Sequence, residues 1–201
     1  MFCTSKENLH SFFNTLVSEK LNGFFSFITN LGDGIVVMGS LLLLLFINVR
    51  IFLNASLTYA FASGLTQYLK LYPFDDVVRP MQRFADLGLK LKLILPDSEM
   101  LGRNSFPSGH STAAFSLFFT LALCTQKKWL QAISFFTALL IAFSRVYLSQ
   151  HFFEDIYAGA SIAVFFSIIF YYTFYFSSFS GKFNKLEAPL LKILFASKKN
   201  V

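Results

Sequence analysis

Residues 144–155 read SRVYLSQHFFED and connect two strongly apolar runs of the chain. A second stretch, FPSGH at residues 106–110, opens an earlier apolar run. Together they place two histidines, an arginine and an aspartate at the ends of hydrophobic segments. Lipid exposure of such side chains is costly, so ionisable residues in these positions are candidates for a functional site. The two stretches predict a helical membrane protein with a polar site where its helices end.

The composition indicates an integral membrane protein. Of 201 residues, 55% are hydrophobic, only 14% are charged and 28 are Phe. A soluble domain of this size needs more charge on its surface than this chain supplies. No basic segment is interleaved with exposed aromatic residues, so nucleic acid is not expected as a partner. The prediction is a single membrane domain over residues 1–201.

The two cysteines, Cys3 and Cys124, lie far apart and form no CxxC pair. They indicate neither a disulfide framework nor a zinc site, and both are interpreted as incidental. The first residues also lack the apolar core and the small-residue cleavage site of a signal peptide. No metal ion or cofactor is predicted.

Five apolar runs predict five membrane crossings. Residues 35–69 are too long for one crossing of about 20 residues, and the polar break at Asn48-Val49-Arg50 divides them into a hairpin. Small residues along 51–69 predict close helix packing. The predicted fold is an all-α, polytopic transmembrane bundle with crossings at residues 35–49, 51–69, 108–124, 129–143 and 156–179.

Three further segments are predicted to lie at the membrane surface. Residues 10–30 carry Glu19 and Lys20 between Phe and Leu clusters, which favours an interfacial helix within an N-terminal segment 1–33; a sixth crossing is the alternative. Residues 181–201 form a basic cytoplasmic tail. Residues 70–106 form an outer-face loop with an amphipathic helix, whose apolar side chains are Met81, Phe84, Leu87, Leu89, Leu91 and Leu93.

The charges fall unevenly on the two sides of a bundle with five crossings. One side holds eight basic residues and one acidic residue, namely Arg50, Lys127, Lys128, Lys182, Lys185, Lys192, Lys198, Lys199 and Glu187. The other side holds the remaining nine basic and ten acidic residues. The excess of Lys and Arg marks the first side as cytoplasmic. The candidate site then faces the extracytoplasmic, or periplasmic, side of the plasma (inner) membrane.

The candidate residues suit a phosphate ester, whose negative charge is spread over several oxygens. Arg79 and Arg145 provide guanidinium groups with a matching fork geometry. Ser108-Gly109-His110 begins a helix, and the free N–H groups and dipole of a helix start attract anions. Gly109 allows close approach of the backbone, while Ser108 can cap the helix and offer its hydroxyl.

Two histidines suit cleavage of such an ester without a metal ion. His151 is the candidate nucleophile, because Asp155 lies four residues later, on the same face if this segment is helical, and can fix the imidazole tautomer. His110 is the candidate general acid, which protonates the leaving alkoxide. Water would then hydrolyse the phosphohistidine, with His110 acting as the base.

The strings PSGH and SRVYLSQHFFED resemble the second and third signature motifs of the type 2 phosphatidic acid phosphatase (PAP2) superfamily. This superfamily includes lipid phosphate phosphatases, glucose-6-phosphatase and vanadium haloperoxidases. The resemblance covers residues 70–155 and implies that His151 is the nucleophile, Asp155 its orienting partner and His110 the acid. It further implies phosphate ligands at Arg79, Ser108, Gly109 and Arg145.

The first motif of the superfamily has Lys, six residues and then Arg-Pro. In this chain Lys70 precedes Arg79-Pro80 by eight residues, LYPFDDVV. Arg79 corresponds directly to the motif. Lys70 reaches the same phosphate only if the two additional residues and Pro73 loop out.

Several alternatives remain open at the level of the sequence. The phosphohistidine could pass its phosphoryl group to a second lipid, which would make the protein a lipid-to-lipid phosphotransferase. A haloperoxidase would hold vanadate in the same pocket, and a transporter or structural membrane protein would leave both histidines unexplained. Four acidic residues are interpreted as a solvated face, with a metal site that includes His110 as the alternative: Asp75, Asp76, Asp97 and Glu99.

The predicted function is hydrolysis of a lipid phosphate or diphosphate by a metal-independent phosphatase. The lipid tail would stay in the bilayer while the phosphate enters between helix ends. The motifs do not choose among undecaprenyl diphosphate, phosphatidylglycerophosphate, phosphatidic acid and lipid A 1-phosphate, because each presents the same group. Selectivity is expected in residues 72–105 and in the unusual spacing before Arg79. The sequence carries no signal for an oligomeric state.

Overall fold

The computed structural model describes residues 5–95 and 102–198. Within these two ranges the chain is helical and contains no β-strand. This finding confirms the all-α prediction for the described residues. Cys3, Asp97 and Glu99, which the sequence interpretation used, lie outside them.

The described residues form eleven α-helices. They are α1 (Lys6–Thr15), α2 (Glu19–Asn30), α3 (Gly34–Leu45), α4 (Val49–Leu71), α5 (Pro80–Asp86), α6 (Gly109–Ala114), α7 (Thr120–Cys124), α8 (Lys128–Tyr147), α9 (Phe153–Tyr175), α10 (Ser180–Phe183) and α11 (Leu190–Lys198). A π-helical segment, Phe115–Phe119, joins α6 to α7, so that Gly109–Cys124 forms one apolar helical stretch. A 3₁₀ turn, Asn184–Leu186, lies between α10 and α11.

Within the described ranges, α8 and α9 are long and apolar enough to cross a membrane. Helices α2 and α3 qualify together as a third span, with a bend of 56° between them. The Gly109–Cys124 stretch is apolar but shorter, and polar residues along the 23-residue α4 reduce its hydropathy. Each predicted apolar run therefore contains a helix, while the number of five crossings stays a prediction.

The hairpin predicted over residues 35–69 is confirmed. Helix α3 ends at Leu45 and α4 begins at Val49, so the turn falls at the polar break seen in the sequence. The Asn48 side chain caps α4 by accepting a hydrogen bond from the backbone N–H of Ile51 at 3.1 Å. Ala55 and Ala62 of α4 are completely buried, as expected for close helix packing.

The N-terminal region differs from the single helix predicted over residues 10–30. The chain turns between α1 and α2, and the backbone N–H of Ser18 donates to Tyr147 Oη at 3.0 Å. The same hydroxyl donates to Asn22 Oδ1 at 2.9 Å. Tyr147 is the last residue of α8, so this contact fixes both N-terminal helices at the C-terminal end of α8.

The amphipathic helix predicted to continue through Leu93 is shorter than expected. Helix α5 ends at Asp86, and Gly88 adopts the left-handed conformation with φ +67°. The N–H of Leu89 donates to the carbonyl of Phe84 at 2.9 Å, which closes the helix in a Schellman motif. The prediction was wrong for residues 87–93, which follow α5 in non-helical backbone.

Large apolar side chains cover the outside of the bundle. The side chains of Phe61, Phe136 and Phe165 are all more than half exposed. Exposure of so many large apolar side chains suits contact with lipid. Many of the 28 Phe residues of the chain thus lie where a membrane would surround them.

Candidate active site

A cavity of about 270 Å³ lies where α4, α6 and α8 meet the turn between α2 and α3. Six of the eight predicted site residues line it: Lys70, Arg79, Gly109, His110, Arg145 and His151. The other two, Ser108 and Asp155, are completely buried and do not line the cavity. The structure therefore brings together side chains from four separate stretches of the chain.

The end of α8 places His151 at this cavity. Ser149 adopts a left-handed conformation with φ +55°, and the N–H of Gln150 donates to the carbonyl of Arg145 at 2.9 Å. These are features of a Schellman motif, in which glycine is the usual left-handed residue. The serine adds a hydroxyl that lies 3.2 Å from His10 Nε2. Helix α1 thus contacts the turn that carries His151.

Asp155 lies behind the His151 imidazole. Its Oδ2 is 3.4 Å from His151 Nδ1, and it accepts hydrogen bonds from the Phe152 N–H, at 2.9 Å, and from the Ser105 hydroxyl. The distance to Nδ1 is long for a hydrogen bond, as is common at catalytic sites without substrate. The arrangement leaves Nε2 of His151 as the ring nitrogen away from Asp155.

Arg79 is held mainly by acceptors from two neighbouring loops. Its Nε donates to the carbonyl of Arg103 at 3.0 Å, and its Nη1 donates to Gln150 Oε1 at 3.1 Å. Only 5% of the residue is exposed. Burial lowers the pKa of Arg79, but a guanidinium remains charged at neutral pH. Arg79 is therefore a fixed positive charge beside His151.

Arg145 occupies the cavity wall from the last turn of α8. Its Nη1 donates to Thr29 Oγ1 at 2.8 Å, a contact that orients the guanidinium from α2. The residue is only 9% exposed. Helix α8 thus supplies a second fixed positive charge to the cavity that Arg79 also lines.

Lys70 also lines the cavity, although its spacing from Arg79 differs from the family motif. Residues 72–76 form turns after α4, and the N–H of Phe74 donates to the carbonyl of Leu69 at 3.1 Å. This turn absorbs the additional residues. The Lys70 ammonium lies 4.0 Å from the point that a Cβ on Gly109 would occupy. Lys70 therefore lines the same cavity as Arg79 despite the longer spacing, and its role as a phosphate ligand stays a prediction.

Ser108 caps α6, as predicted, with its Oγ accepting from the N–H of Ser111 at 3.4 Å. The same Oγ accepts from the Ser111 hydroxyl at 3.1 Å. The N–H of Ser108 donates to the carbonyl of Asp155 at 3.0 Å. These contacts direct the serine away from the cavity, and its role as a phosphate ligand stays a prediction.

The His110 ring faces the cavity from the first turn of α6. Gly32 lies against this residue, because a Cβ on Gly32 would stand 3.4 Å from His110 Cδ2. No hydrogen bond joins the imidazole to any residue in the described parts of the chain. Its nitrogens are therefore available to a molecule in the cavity.

The electrostatics of the cavity favour an anion and a neutral His151. Complete burial and the positive charges of Arg79, Arg145 and Lys70 hold the pKa of His151 well below its ordinary value of 6.5. The imidazole is therefore unprotonated near neutral pH, as a nucleophile must be. Three cations line the cavity, and no carboxylate among the described residues does, so the cavity attracts a negatively charged ligand.

Sequence reasoning missed four residues that support the site. Ser105 donates to Asp155, Thr29 accepts from Arg145, Gln150 accepts from Arg79, and His10 contacts Ser149. Ser105 and Gln150 stand next to the motif residues, but nothing in their local sequence distinguishes them. Thr29 and His10 lie more than 100 residues from their partners, so only the fold reveals them.

In the described ranges no group of three or more His, Cys, Asp or Glu side chains is arranged to hold a metal ion. The metal site considered from the sequence required Asp97 and Glu99, which lie outside these ranges. The residues that line the cavity are cations, imidazoles and neutral groups. This donor set suits an anion such as phosphate better than a divalent cation.

The described residues form a helical membrane protein in which two histidines and three cations line one cavity. The sequence profile of the PAP2 superfamily matches residues 51–179, which is more than half of the chain. The chain therefore belongs to the PAP2 superfamily.

Two solved structures are similar to this chain. The crystal structure of LpxE from Aquifex aeolicus shares 28% sequence identity, with a TM-score of 0.68 over 81% of this chain and 92% of that chain. The other is the crystal structure of a transmembrane PAP2 type phosphatidylglycerolphosphate phosphatase from Bacillus subtilis. It shares 22% sequence identity, with a TM-score of 0.69 over 87% of each chain. At this lower identity the second comparison shows a shared fold. No curated protein sequence matches significantly.

Proposed function

We propose that this protein is a metal-independent phosphatase that hydrolyses a lipid phosphate or diphosphate through a phosphohistidine intermediate. One observation carries the proposal: His110 and His151 line a single cavity together with Lys70, Arg79 and Arg145. Two imidazoles can supply the nucleophile and the proton, and the three cations can neutralise the phosphate oxygens. The similarity to phosphatases of the same superfamily supports this reading.

In the first step, Nε2 of His151 attacks phosphorus and forms a P–N bond. The bond from phosphorus to the leaving oxygen breaks, and His110 donates a proton to that oxygen. Asp155 accepts from Nδ1 of His151 and stabilises the positive charge that develops on the ring. Arg79, Arg145 and Lys70 neutralise charge on the three remaining phosphoryl oxygens.

In the second step, water takes the position of the departed alcohol. His110, now neutral, removes a proton from this water as it attacks phosphorus. The P–N bond breaks, inorganic phosphate leaves, and His151 returns to its neutral form. Each histidine therefore ends the cycle in its starting state.

The proposed topology has five crossings: the bent pair α2 and α3, then α4, the Gly109–Cys124 stretch, α8 and α9. Helix α3 alone has 12 residues, or about 18 Å at 1.5 Å per residue, which is short for a hydrocarbon core of about 30 Å. The charge asymmetry of the loops supports a plasma (inner) membrane orientation with the cavity on the extracytoplasmic face. A lipid in the outer leaflet would then present its phosphate to the cavity.

The proposal is tested with purified protein in detergent and EDTA. We expect release of phosphate from a lipid phosphate, and a loss of at least about a thousandfold in kcat for His151→Ala, because this variant lacks the proposed nucleophile. Asp76→Asn, an exposed loop change, serves as the matched control and also tests the metal alternative. Retained turnover in His151→Ala would contradict the mechanism, and phosphorylated lipid product in place of free phosphate would indicate a phosphotransferase.

A further inference from the structure

We propose that one face of α4 recognises hydroxyl groups on the alcohol that leaves the phosphate. The substrate is accordingly a phosphate ester of a hydroxyl-bearing group, such as glycerol or a sugar within a lipid, rather than of a bare prenyl chain. The inference rests on the proposed function. It assigns substrate selectivity to α4, whereas the sequence analysis had assigned it to residues 72–105 and to the spacing before Arg79.

The face consists of Tyr59, Ser63 and Gln67, which we call the α4 polar wall. These residues line the same cavity as Lys70. Successive spacings of four, four and three residues place the set on one side of the helix. From Tyr59 to Lys70 the cavity therefore follows α4 for roughly 16 Å, at 1.5 Å per residue. A single phosphate group occupies only part of this length.

The polar groups of the wall are available to a ligand. In the described parts of the chain, no residue forms a side-chain hydrogen bond with Tyr59, Ser63 or Gln67. The nearby Thr66 differs, because its hydroxyl lies 2.9 Å from Thr112 Oγ1 and serves helix packing. Tyr59 and Ser63 are half-buried and Gln67 is exposed, so the polar groups of the wall can reach a molecule in the cavity.

The wall lies on the side of the cavity where the alcohol leaves. His110, which donates the proton to the leaving oxygen, packs against Gly32. Two residues later, a Cβ on Gly34 would stand 3.2 Å from Tyr59 Oη. The proton donor and the wall therefore flank the same turn between α2 and α3, while His151 approaches from the loop after α8.

The chemistry of the wall distinguishes between classes of leaving group. The three side chains of the wall are uncharged, so a second phosphate joined directly to the first, as in a diphosphate, would meet no cation among them. In phosphatidylglycerophosphate the hydroxyl-bearing glycerol separates the two phosphates. A hydrocarbon chain there would leave three hydrogen-bonding groups unsatisfied. Hydroxyl groups can donate to Gln67 Oε1 and accept from Ser63 or Tyr59. A site built in this way rejects analogues that lack the hydroxyl.

A lipid tail does not need the space beside the wall. A separate groove of about 730 Å³ runs between α8 and α9, and apolar side chains such as Phe143, Ile156 and Val164 form most of its surface. Among the described residues, none lines both the groove and the cavity. The polar cavity and the apolar groove are thus separate, and the groove offers a lipid tail a surface away from the α4 polar wall.

The test compares two classes of substrate with purified protein. The hydroxyl-bearing substrates are phosphatidylglycerophosphate and an acylated glucosamine 1-phosphate; the others are undecaprenyl phosphate and phosphatidic acid. We expect wild type to prefer the first class in kcat/KM. In Ser63→Ala and Gln67→Leu this preference should fall about two- to tenfold each, the effect of one neutral hydrogen bond. Ser161→Ala, an exposed change in the apolar groove, should leave the preference unaltered.

Three outcomes decide the matter. A preference that falls with the wall variants supports the inference, and the more affected substrate tells whether glycerol or sugar hydroxyls are bound. Preference of wild type for undecaprenyl phosphate, or an equal loss on all four substrates, overturns the inference and leaves the phosphatase intact. Absence of any turnover that depends on His151 overturns the proposed function itself, before the substrate classes are compared.

Discussion

The His151 turn shows how single residues determine the chemistry of the site. Ser149 supplies the left-handed conformation that ends α8 and points His151 towards Asp155. A glycine would adopt this conformation at lower cost. The serine is retained with its hydroxyl beside His10, so the same residue turns the chain and anchors it to α1.

His10 provides a test of this anchor through the pH dependence of stability. The residue is 2% exposed, and burial lowers its pKa to about 4, with Asp155 as the nearby charge that opposes this shift. In the unfolded chain the pKa is near 6.5, so between pH 6.5 and 4 the unfolded state binds a proton that the folded state does not. Stability due to His10 is therefore complete above pH 6.5 and falls as the pH decreases towards 4.

We expect this effect to reach roughly 3 kcal/mol across the window, at about 1.4 kcal/mol per pKa unit. The measurement is the free energy of unfolding in detergent at pH 7 and pH 4.5. His10→Gln keeps a donor for Ser149 but cannot titrate, so its stability should decline less than that of wild type. Parallel decline of the two proteins would show that His10 is not the titrating group.

At the scale of secondary-structure elements, the candidate site residues lie at or next to the ends of helices. Arg145 lies in the last turn of α8, and His151 lies in the turn that follows this helix. Asp155 lies in the first turn of α9, and Gly109 and His110 lie in the first turn of α6. Helix ends leave backbone N–H or C=O groups unpaired, which makes them suitable for polar ligands. The relative positions of these ends therefore determine whether the cavity forms.

Gly159 sets the distance between two of these ends. A Cβ on Gly159 would collide with the carbonyl oxygen of Ser108 and stand 3.0 Å from Thr112 Oγ1. We expect Gly159→Ala to lower the free energy of unfolding by about 1–3 kcal/mol through overpacking. Because α6 must shift away from α9, kcat should fall as well. Thermal unfolding and phosphate release measure the two effects.

Gly64→Ala is the matched control for this substitution. Gly64 also lies within a long helix, α4, but a Cβ there would meet no atom within 4 Å. Alanine has the higher helix propensity, by up to about 1 kcal/mol. The control should therefore be neutral or stabilising. Equal destabilisation by the two substitutions would argue against a specific contact between α9 and the start of α6.

Helix boundaries were predictable from the sequence where nearby residues in the chain determine them. The hairpin break at Asn48 and the cap at Ser108 follow from polar residues at the ends of apolar runs. The end of α5 was missed because Leu89, Leu91 and Leu93 continue an apolar pattern beyond Gly88, whose left-handed conformation ends the helix. The separation of α1 from α2 depends on Tyr147, which is 129 residues from Ser18 and was not readable locally.

The whole molecule explains why the motif residues could be predicted and their supports could not. His110, Arg145, His151 and Asp155 stand in short motifs with fixed spacing. Thr29 and the α4 polar wall meet them only because α2, α4 and α8 pack around one cavity. Such contacts follow from tertiary packing. A single sequence without this packing gives them no distinguishing pattern.

The proposed orientation of the whole molecule is open to a direct test. In a Cys3→Ser, Cys124→Ala background, Asp76→Cys places a thiol on the exposed turn after α4, and Lys127→Cys places one on the exposed loop before α8. The proposed topology puts the first outside the cell membrane and the second in the cytoplasm. In intact cells or spheroplasts, a membrane-impermeant maleimide should label Asp76→Cys and should label Lys127→Cys only after permeabilisation. The reverse pattern would place the cavity at the inner leaflet, where it would act on a different pool of lipids with the same chemistry.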